Sequence, residues 1–270
     1  MSTATSPRSY LVCASQRSGS TLLVESLFET GVAGQPREYF QYLPHSGLSP
    51  RPREWFAGVT DESVLTLLPA LVTGTPDVRS SAEWVADTRF HGRTPNGIWG
   101  GKLMWNQVSN LLDRVVDLPE RSGKDLRSAI VDVTGEDPLY VHVSRADVAA
   151  QAVSMWRAVQ TEVWRGRTPP EVDARAEYHA DGIAHLAGNL LWQEAEWARW
   201  FVDEKIEPLE IRFDDMVASP RQSVQRVLSA LGLDPELAPA IPPLNRQGDG
   251  RSDDWIARYR ADAERRGLPQ

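Results

Sequence analysis

Tyr10-Leu11-Val12-Cys13-Ala14, then Ser15-Gln16-Arg17-Ser18-Gly19-Ser20-Thr21, then Leu22-Leu23-Val24-Glu25-Ser26-Leu27 is the stretch that decides the fold. The first five residues are an unbroken apolar run, the pattern of a buried strand. The last six read as the start of a helix. Between them lies a loop of small polar residues with one glycine and one arginine. A strand, a small-residue loop and a helix start aim the loop's N–H groups and the positive end of the helix dipole at one spot. That spot suits the phosphate tail of a nucleotide, ringed by Arg17, Ser18, Gly19, Ser20 and Thr21. The plainer alternative is an ordinary strand–turn–helix corner with a buried serine cluster.

The loop lacks the GxxxxGK[ST] pattern of nucleotide triphosphatases, because Gly19 stands where the lysine before Ser20-Thr21 would be. Its charge comes from Arg17, whose planar fork matches a sulfate or phosphate face. The missing lysine counts against hydrolysis of ATP or GTP.

Working outward, the 270 residues are 41% hydrophobic, enough for a sizeable core, and are read as one domain. A formal net charge of −8 argues against general affinity for nucleic acid or anionic membranes. Each arginine beside a small-residue loop is the more informative for it. Cys13, the one cysteine, sits inside the first strand, so neither an intrachain disulfide nor a cysteine-based metal site is expected. Residues 1–9 are polar and lack the apolar core of a signal peptide; they are expected to be flexible. No stretch reaches transmembrane length. The expectation is a cytoplasmic protein without stable membrane insertion.

Further apolar runs at Ile98–Trp105, Leu139–Val143 and Pro208–Phe213 read as strands. Helical stretches are read at Thr60–Val72, Leu111–Val116, Val148–Trp164 and Leu186–Asp203, and in a last helix carrying Val224, Val227, Leu228 and Leu231. Gly34–Trp55 reads as a long ordered loop, and Asn245–Tyr259 as a charged, glycine-containing segment. Alternating strands and helices imply an α/β domain with a central, mainly parallel sheet flanked by helices and a P-loop-like first unit. Ligands of such sheets lie at the carboxyl ends of the strands, where Arg17, Lys102 and Arg145 all fall.

Five segments carry a family resemblance: ASQRSGSTLLVESL, the GVAG-P-EYFQYLP loop, RTPNGIWGGKLMWNQ, QAVSMWRAVQTEVWRGR and RSDDWIARYR. Together they resemble the Stf0 family of bacterial sulfotransferases over nearly the whole chain. The resemblance implies the donor 3′-phosphoadenylyl sulfate (PAPS), released as adenosine 3′,5′-bisphosphate, and no metal. It implies that Arg17, Ser18, Gly19, Ser20 and Thr21 hold the phosphosulfate. Arg145 and Ser154 would hold the 3′-phosphate, although Ser154 lies nine residues after Arg145 where eight is the usual spacing. Arg246, Arg251 and Ser252 fall in the segment that by analogy closes over the nucleotide.

The resemblance also implies a sugar acceptor, trehalose or a related glycoside, and a homodimer. The matching acceptor positions are Gln16, Gln35, Glu38, Tyr39, Gln41, Pro50 and Trp55. Two of them depart from the family pattern, with Gln35 for a glutamate and Tyr39 for a phenylalanine, which raises the expectation of a different acceptor sugar. Glu38 matches the family's general base; on chemistry alone Glu54 is its rival, and a solvated surface carboxylate is the plain alternative. Shielding by Tyr39, Phe40 and Trp55 is expected to raise the Glu38 pKa toward neutrality. Lys102 reads equally as a contact to the sulfuryl group or as a surface lysine at a glycine turn. Among the histidines, His142 reads as a satisfied strand residue and His45 as a solvated loop residue. A small-molecule kinase and a non-catalytic nucleotide-binding module are the alternatives in other function classes.

Overall fold

The computed structural model describes residues 6–42, 52–70, 72–166, 168–241 and 250–270. Strands β1 (Ser9–Ala14), β2 (Trp99–Met104), β3 (Leu139–Ser144) and β4 (Leu209–Arg212) pair in parallel in the order β2-β1-β3-β4. Between β1 and β2 run α1 (Ser20–Glu29), α2 (Pro52–Trp55), α3 (Glu62–Leu65) and α4 (Ser81–His91). Between β2 and β3 come α5 (Val108–Val115) and α6 (Leu126–Thr134); between β3 and β4 come α7 (Val148–Thr161), α8 (Pro170–Asp173) and α9 (Ala180–Asp203). Then follow α10 (Phe213–Ala218), α11 (Pro220–Ala230) and α12 (Gly250–Arg266).

Every residue of β1 and β2 is buried, because helices cover both faces of the sheet. Alternation sorts the side chains. Tyr10, Val12 and Ala14 pack with Leu23, Val24 and Leu27 of α1 and Val224, Val227 and Leu228 of α11. Leu11 and Cys13 face Leu111 of α5, Ile130 of α6 and Trp197 and Phe201 of α9. A third cluster joins α7, α9 and α12 through Trp156, Ile183, Leu186 and Tyr259. The chain leaves β1 for β2 on one side and then crosses to β3 on the other. Right-handed crossovers in opposite directions leave helices on opposite faces and open a crevice at the carboxyl ends of β1 and β3.

The parallel sheet and its four strands follow the sequence reading. Thr60–Val72 does not: it holds a single helical turn, α3, capped by the Asp61 carboxylate on the Ser63 N–H. Helices α4 and α6 were not read at all. A capping box of Ser80 and Glu83 starts α4, and Asp125 caps α6. Gly250–Arg266 is a helix where a charged segment was read. No helix among the described residues is long and apolar enough to cross a membrane.

Candidate active site

The loop Ser15–Gly19 leaves β1 at the crevice and turns sharply into α1. Arg17 (φ 62°) and Gly19 (φ 90°) both take left-handed backbone. At Gly19 that conformation and the surroundings demand glycine, since a Cβ would lie 2.5 Å from Met216 Cε and 2.8 Å from Phe213 Cδ2. As the N-cap of α1, Gly19 offers no side chain to the first helical N–H groups, so they are left for another acceptor. The Ser18 hydroxyl is buried and has no partner among the described residues. The Arg17 guanidinium donates to Ser154 Oγ (3.0 Å) and to the Trp164 carbonyl (2.7 Å), both neutral. Burial lowers its pKa from the ordinary arginine value. A desolvated cation, an orphaned hydroxyl and uncapped amides at one helix start fit an anionic ester of the phosphosulfate class.

Arg145, at the end of β3, reaches across the crevice to the Arg17 carbonyl (3.3 Å) and lies 4.2 Å over the Phe213 ring. Ser154 accepts from Arg17, and Arg145 donates to the Arg17 carbonyl, so the two arginines and the serine converge from β1, β3 and α7. Arg251 and Ser252 are engaged elsewhere in this structure. Arg251 bonds the Asp173 and Ala176 carbonyls, and Ser252 accepts from Arg157, one helical turn beyond Ser154. Arg246, Pro50 and His45 lie outside the described residues.

Glu38 reaches the site by a long-range device. Gly34 passes so close to β2 that a Cβ would lie 2.4 Å from the Gly100 nitrogen. The chain then pairs Arg37 in parallel with Gly101, with Lys102 N–H donating to the Arg37 carbonyl (3.0 Å). Phe40, buried against Trp84, anchors the far side. Glu38 is thereby held against the buried Lys102, with Nζ 2.7 Å from Oε1, and Gln107 donates to Oε2 at 3.1 Å. Lys102 also donates to Thr21 Oγ1 (3.1 Å), on the first turn of α1. The chain Glu38–Lys102–Thr21 thus joins the carboxylate to the anion loop.

This overturns the expected rise in the Glu38 pKa. Burial does push it up, but the Lys102 charge and the bonds from Lys102 and Gln107 outweigh burial and hold it below the ordinary glutamate value. It also overturns the surface-lysine reading, because Lys102 is only 1% exposed.

The other expected acceptor positions among the described residues are Gln16, Gln35, Tyr39, Gln41 and Trp55. Gln16 is locked in a chain of amides, donating to Asn106 Oδ1 (2.5 Å) and accepting from Gln193 Nε2 (2.8 Å). Tyr39 donates its hydroxyl to the Gln35 carbonyl (2.7 Å), so the extra oxygen is used within the loop. Gln35 and Gln41 are half-buried. Trp55 meets Trp164 edge-on at 5.4 Å, and Trp164 supplies the carbonyl that Arg17 binds. The Trp55 indole Nε1 is buried without a partner among the described residues. Sequence reading missed Asn106, Gln107 and Gln193. The signal for the first two was a pair of amides directly after an apolar strand.

Residues 9–262 match the family model described as Stf0 sulphotransferase. A trehalose 2-sulfotransferase of Mycolicibacterium smegmatis is 57% identical over 263 residues, covering 97% of this chain and 98% of that protein. One of Mycobacterium tuberculosis is 56% identical over 262 residues, with the same shares covered. Among solved structures, a sulfotransferase domain from the Synechococcus PCC 7002 olefin synthase matches at 14% identity with a TM-score of 0.38, covering 96% of this chain and 90% of that one.

Proposed function

The chain belongs to the Stf0 sulfotransferase family and is a sulfotransferase, and from that premise we propose that it moves a sulfuryl group from PAPS to the 2-hydroxyl of trehalose. The products are trehalose 2-sulfate and adenosine 3′,5′-bisphosphate. The donor supplies a sulfuryl group already activated as a mixed anhydride; the chain's residues bind, orient and move one proton. The Ser15–Gly19 loop and Arg17 grip the phosphosulfate, and the first N–H groups of α1 take up the charge that grows on the leaving phosphate oxygen. Arg145 and Ser154 face the 3′-phosphate. The family pattern assigns Gln16, Gln35, Tyr39, Gln41, Pro50 and Trp55 to the sugar site and Arg246, Arg251 and Ser252 to the nucleotide side, a role for which Arg251 and Ser252 must leave the partners they hold here.

Glu38 takes the proton of the attacking hydroxyl as the new S–O bond forms and the bond to the 5′-phosphate breaks. A carboxylate with a lowered pKa is a weak base, which suits a loose transition state with little bond formation to the nucleophile. Lys102, already bonded to both Glu38 and Thr21, is set to share its charge with the sulfuryl oxygens. The observation that carries this reading is that chain, which puts a base within two side chains of the anion loop. Family membership further supports a homodimer in the cytoplasm acting on a small sugar without a metal.

The test is incubation with labelled PAPS and a panel of trehalose, glucose and other glycosides. The expected result is labelled trehalose 2-sulfate, with Glu38→Gln slower by at least ~10²-fold in kcat and binding adenosine 3′,5′-bisphosphate as wild type does. Transfer from ATP instead, or to another glycoside only, overturns the reading. Gln35 and Tyr39 are where a different acceptor preference would originate.

A further inference from the structure

His142 lies on β3, in register with Cys13 of β1 and Glu210 of β4. Both of its ring nitrogens face carboxylates. Nδ1 is 3.0 Å from Glu210 Oε2, and Nε2 is 3.1 Å from Glu194 Oε2. A neutral imidazole has a single N–H and satisfies one of these; only the imidazolium donates to both.

Glu194, on α9, spends its other oxygen on the anion loop, where Oε1 accepts the Ser15 hydroxyl at 2.5 Å. Ser15 is the first residue after β1 and is wholly buried. Gln151 of α7 donates to Ser15 Oγ (3.0 Å) and to the Gln16 carbonyl (2.6 Å). The root of a loop that carries a left-handed arginine is therefore tied down by two side chains, and one of them is held by His142.

We infer that His142, as the imidazolium, is a positioning residue for the donor loop: it fixes Glu194, Glu194 fixes Ser15, and loss of the proton loosens the loop's grip on the nucleotide. This rests on the donor reading of that loop given above.

Among the described residues, the groups beside the ring are Cys13, its register partner on β1, Glu210 from β4, and Glu194 from α9, with the Phe201 ring edge-on at 5.4 Å. Cys13 stays protonated, its pKa pushed up by burial and by Glu210. The ring thus stands between two negative charges. Burial pulls the His142 pKa down, but the bonds and charges of Glu194 and Glu210 prevail and carry it up to about 9. At neutral pH the clamp is closed. When the proton leaves, the ring keeps a single N–H; with that N–H on Nδ1 toward Glu210, the Nε2 lone pair faces Glu194, which loses its tie to the ring and no longer holds Ser15 in a fixed place.

The experiment pairs two readouts on the full chain. Imidazole NMR follows His142 between about pH 6 and about pH 10. Calorimetry follows adenosine 3′,5′-bisphosphate binding over the same range. The expected results are a His142 midpoint near 9 and affinity falling at least ~10-fold through it, a coupling of one pKa unit.

Glu194→Gln keeps an acceptor for Ser15 and offers an N–H to the ring. It should return His142 toward the ordinary histidine range and leave affinity independent of pH. Ser15→Ala should keep the high midpoint but bind the bisphosphate weakly at every pH. An ordinary His142 midpoint in wild type, or a Glu194→Gln variant with the wild-type pH dependence, overturns the inference. No binding to wild type at any pH overturns the donor reading itself, while the NMR midpoint still reports the clamp.

Discussion

Glu38 and Lys102 form a pair in which each residue needs the other. Taken alone, a carboxylate this buried would be pushed toward its neutral form, where it cannot accept a proton. Lys102 reverses that balance and keeps Glu38 ionised below the ordinary glutamate range. A buried ammonium without a counter-charge would be equally unfavourable. Lys102→Met removes the charge and keeps the volume, leaving Glu38 with the Gln107 amide and its desolvation. The Glu38 pKa should then rise. The acid limb of kcat/KM, which in wild type should lie below the ordinary glutamate value, should move upward by at least ~1 pH unit. Profiles of the two proteins measured side by side decide the matter. Coincident acid limbs would mean that Lys102 does not set the state of Glu38.

At the scale of elements, β1, the following loop and α1 act as one unit, because the loop's conformation sets the direction in which the helix start points. Gly19→Ala puts a methyl group into the space of Met216 and Phe213 and forces a side chain onto φ 90°. Both penalties act on the turn that aims the amides, so bisphosphate affinity should fall by at least ~10-fold, the order of one strained residue. Calorimetry checks it; wild-type affinity would place the nucleotide away from this helix start.

The same unit was legible in the sequence because strand, loop and helix are contiguous and each carries its own signal. Helix α4 was not. It buries only Trp84, Val85 and Thr88 and leaves Phe90 exposed, so its apolar pattern is faint, and its start is marked by a capping box that was not read. The Stf0 resemblance pointed to Glu38, which the fold holds against Lys102. Its electrostatics depended on Lys102, brought beside it by the Arg37–Gly101 bridge, and no local pattern encodes that partner. The resemblance paired Ser154 with Arg145 for the 3′-phosphate, and its hydrogen bond to Arg17 is a long-range contact that no spacing along α7 announces.

Across the whole molecule, the last helix is fastened to the layer that carries the site. Asp173 of α8 receives Arg157 of α7 and lies 3.3 Å from Arg251 of α12. Arg260 reaches Asp147 at the start of α7, Arg266 reaches Asp181 of α9, and Tyr178 donates to Asp262. Apolar burial of Trp255, Tyr259 and Ala263 supplies the adhesion, and the ion pairs set the register in which α12 settles.

Asp173 is the pairing that matters most, because it balances two guanidiniums at a site where it is only 16% exposed. Asp173→Asn keeps the shape and removes the charge, leaving Arg157 and Arg251 to repel each other. The cost should be about 2–3 kcal/mol, less than the roughly 3–5 kcal/mol of breaking a fully buried pair because Arg251 is 32% exposed, or roughly 5–8 °C in melting temperature for a chain of this size. Arg157 lies one turn from Ser154, which bonds Arg17, so the disturbance should also reach the donor loop. Bisphosphate should therefore raise the melting temperature of the variant by less than it raises that of wild type. Thermal melts with and without the nucleotide separate the two effects. A lower melting temperature with an undiminished nucleotide shift would make α12 a structural brace only, while an unchanged melting temperature would show that the ion pairs add nothing to the apolar seat.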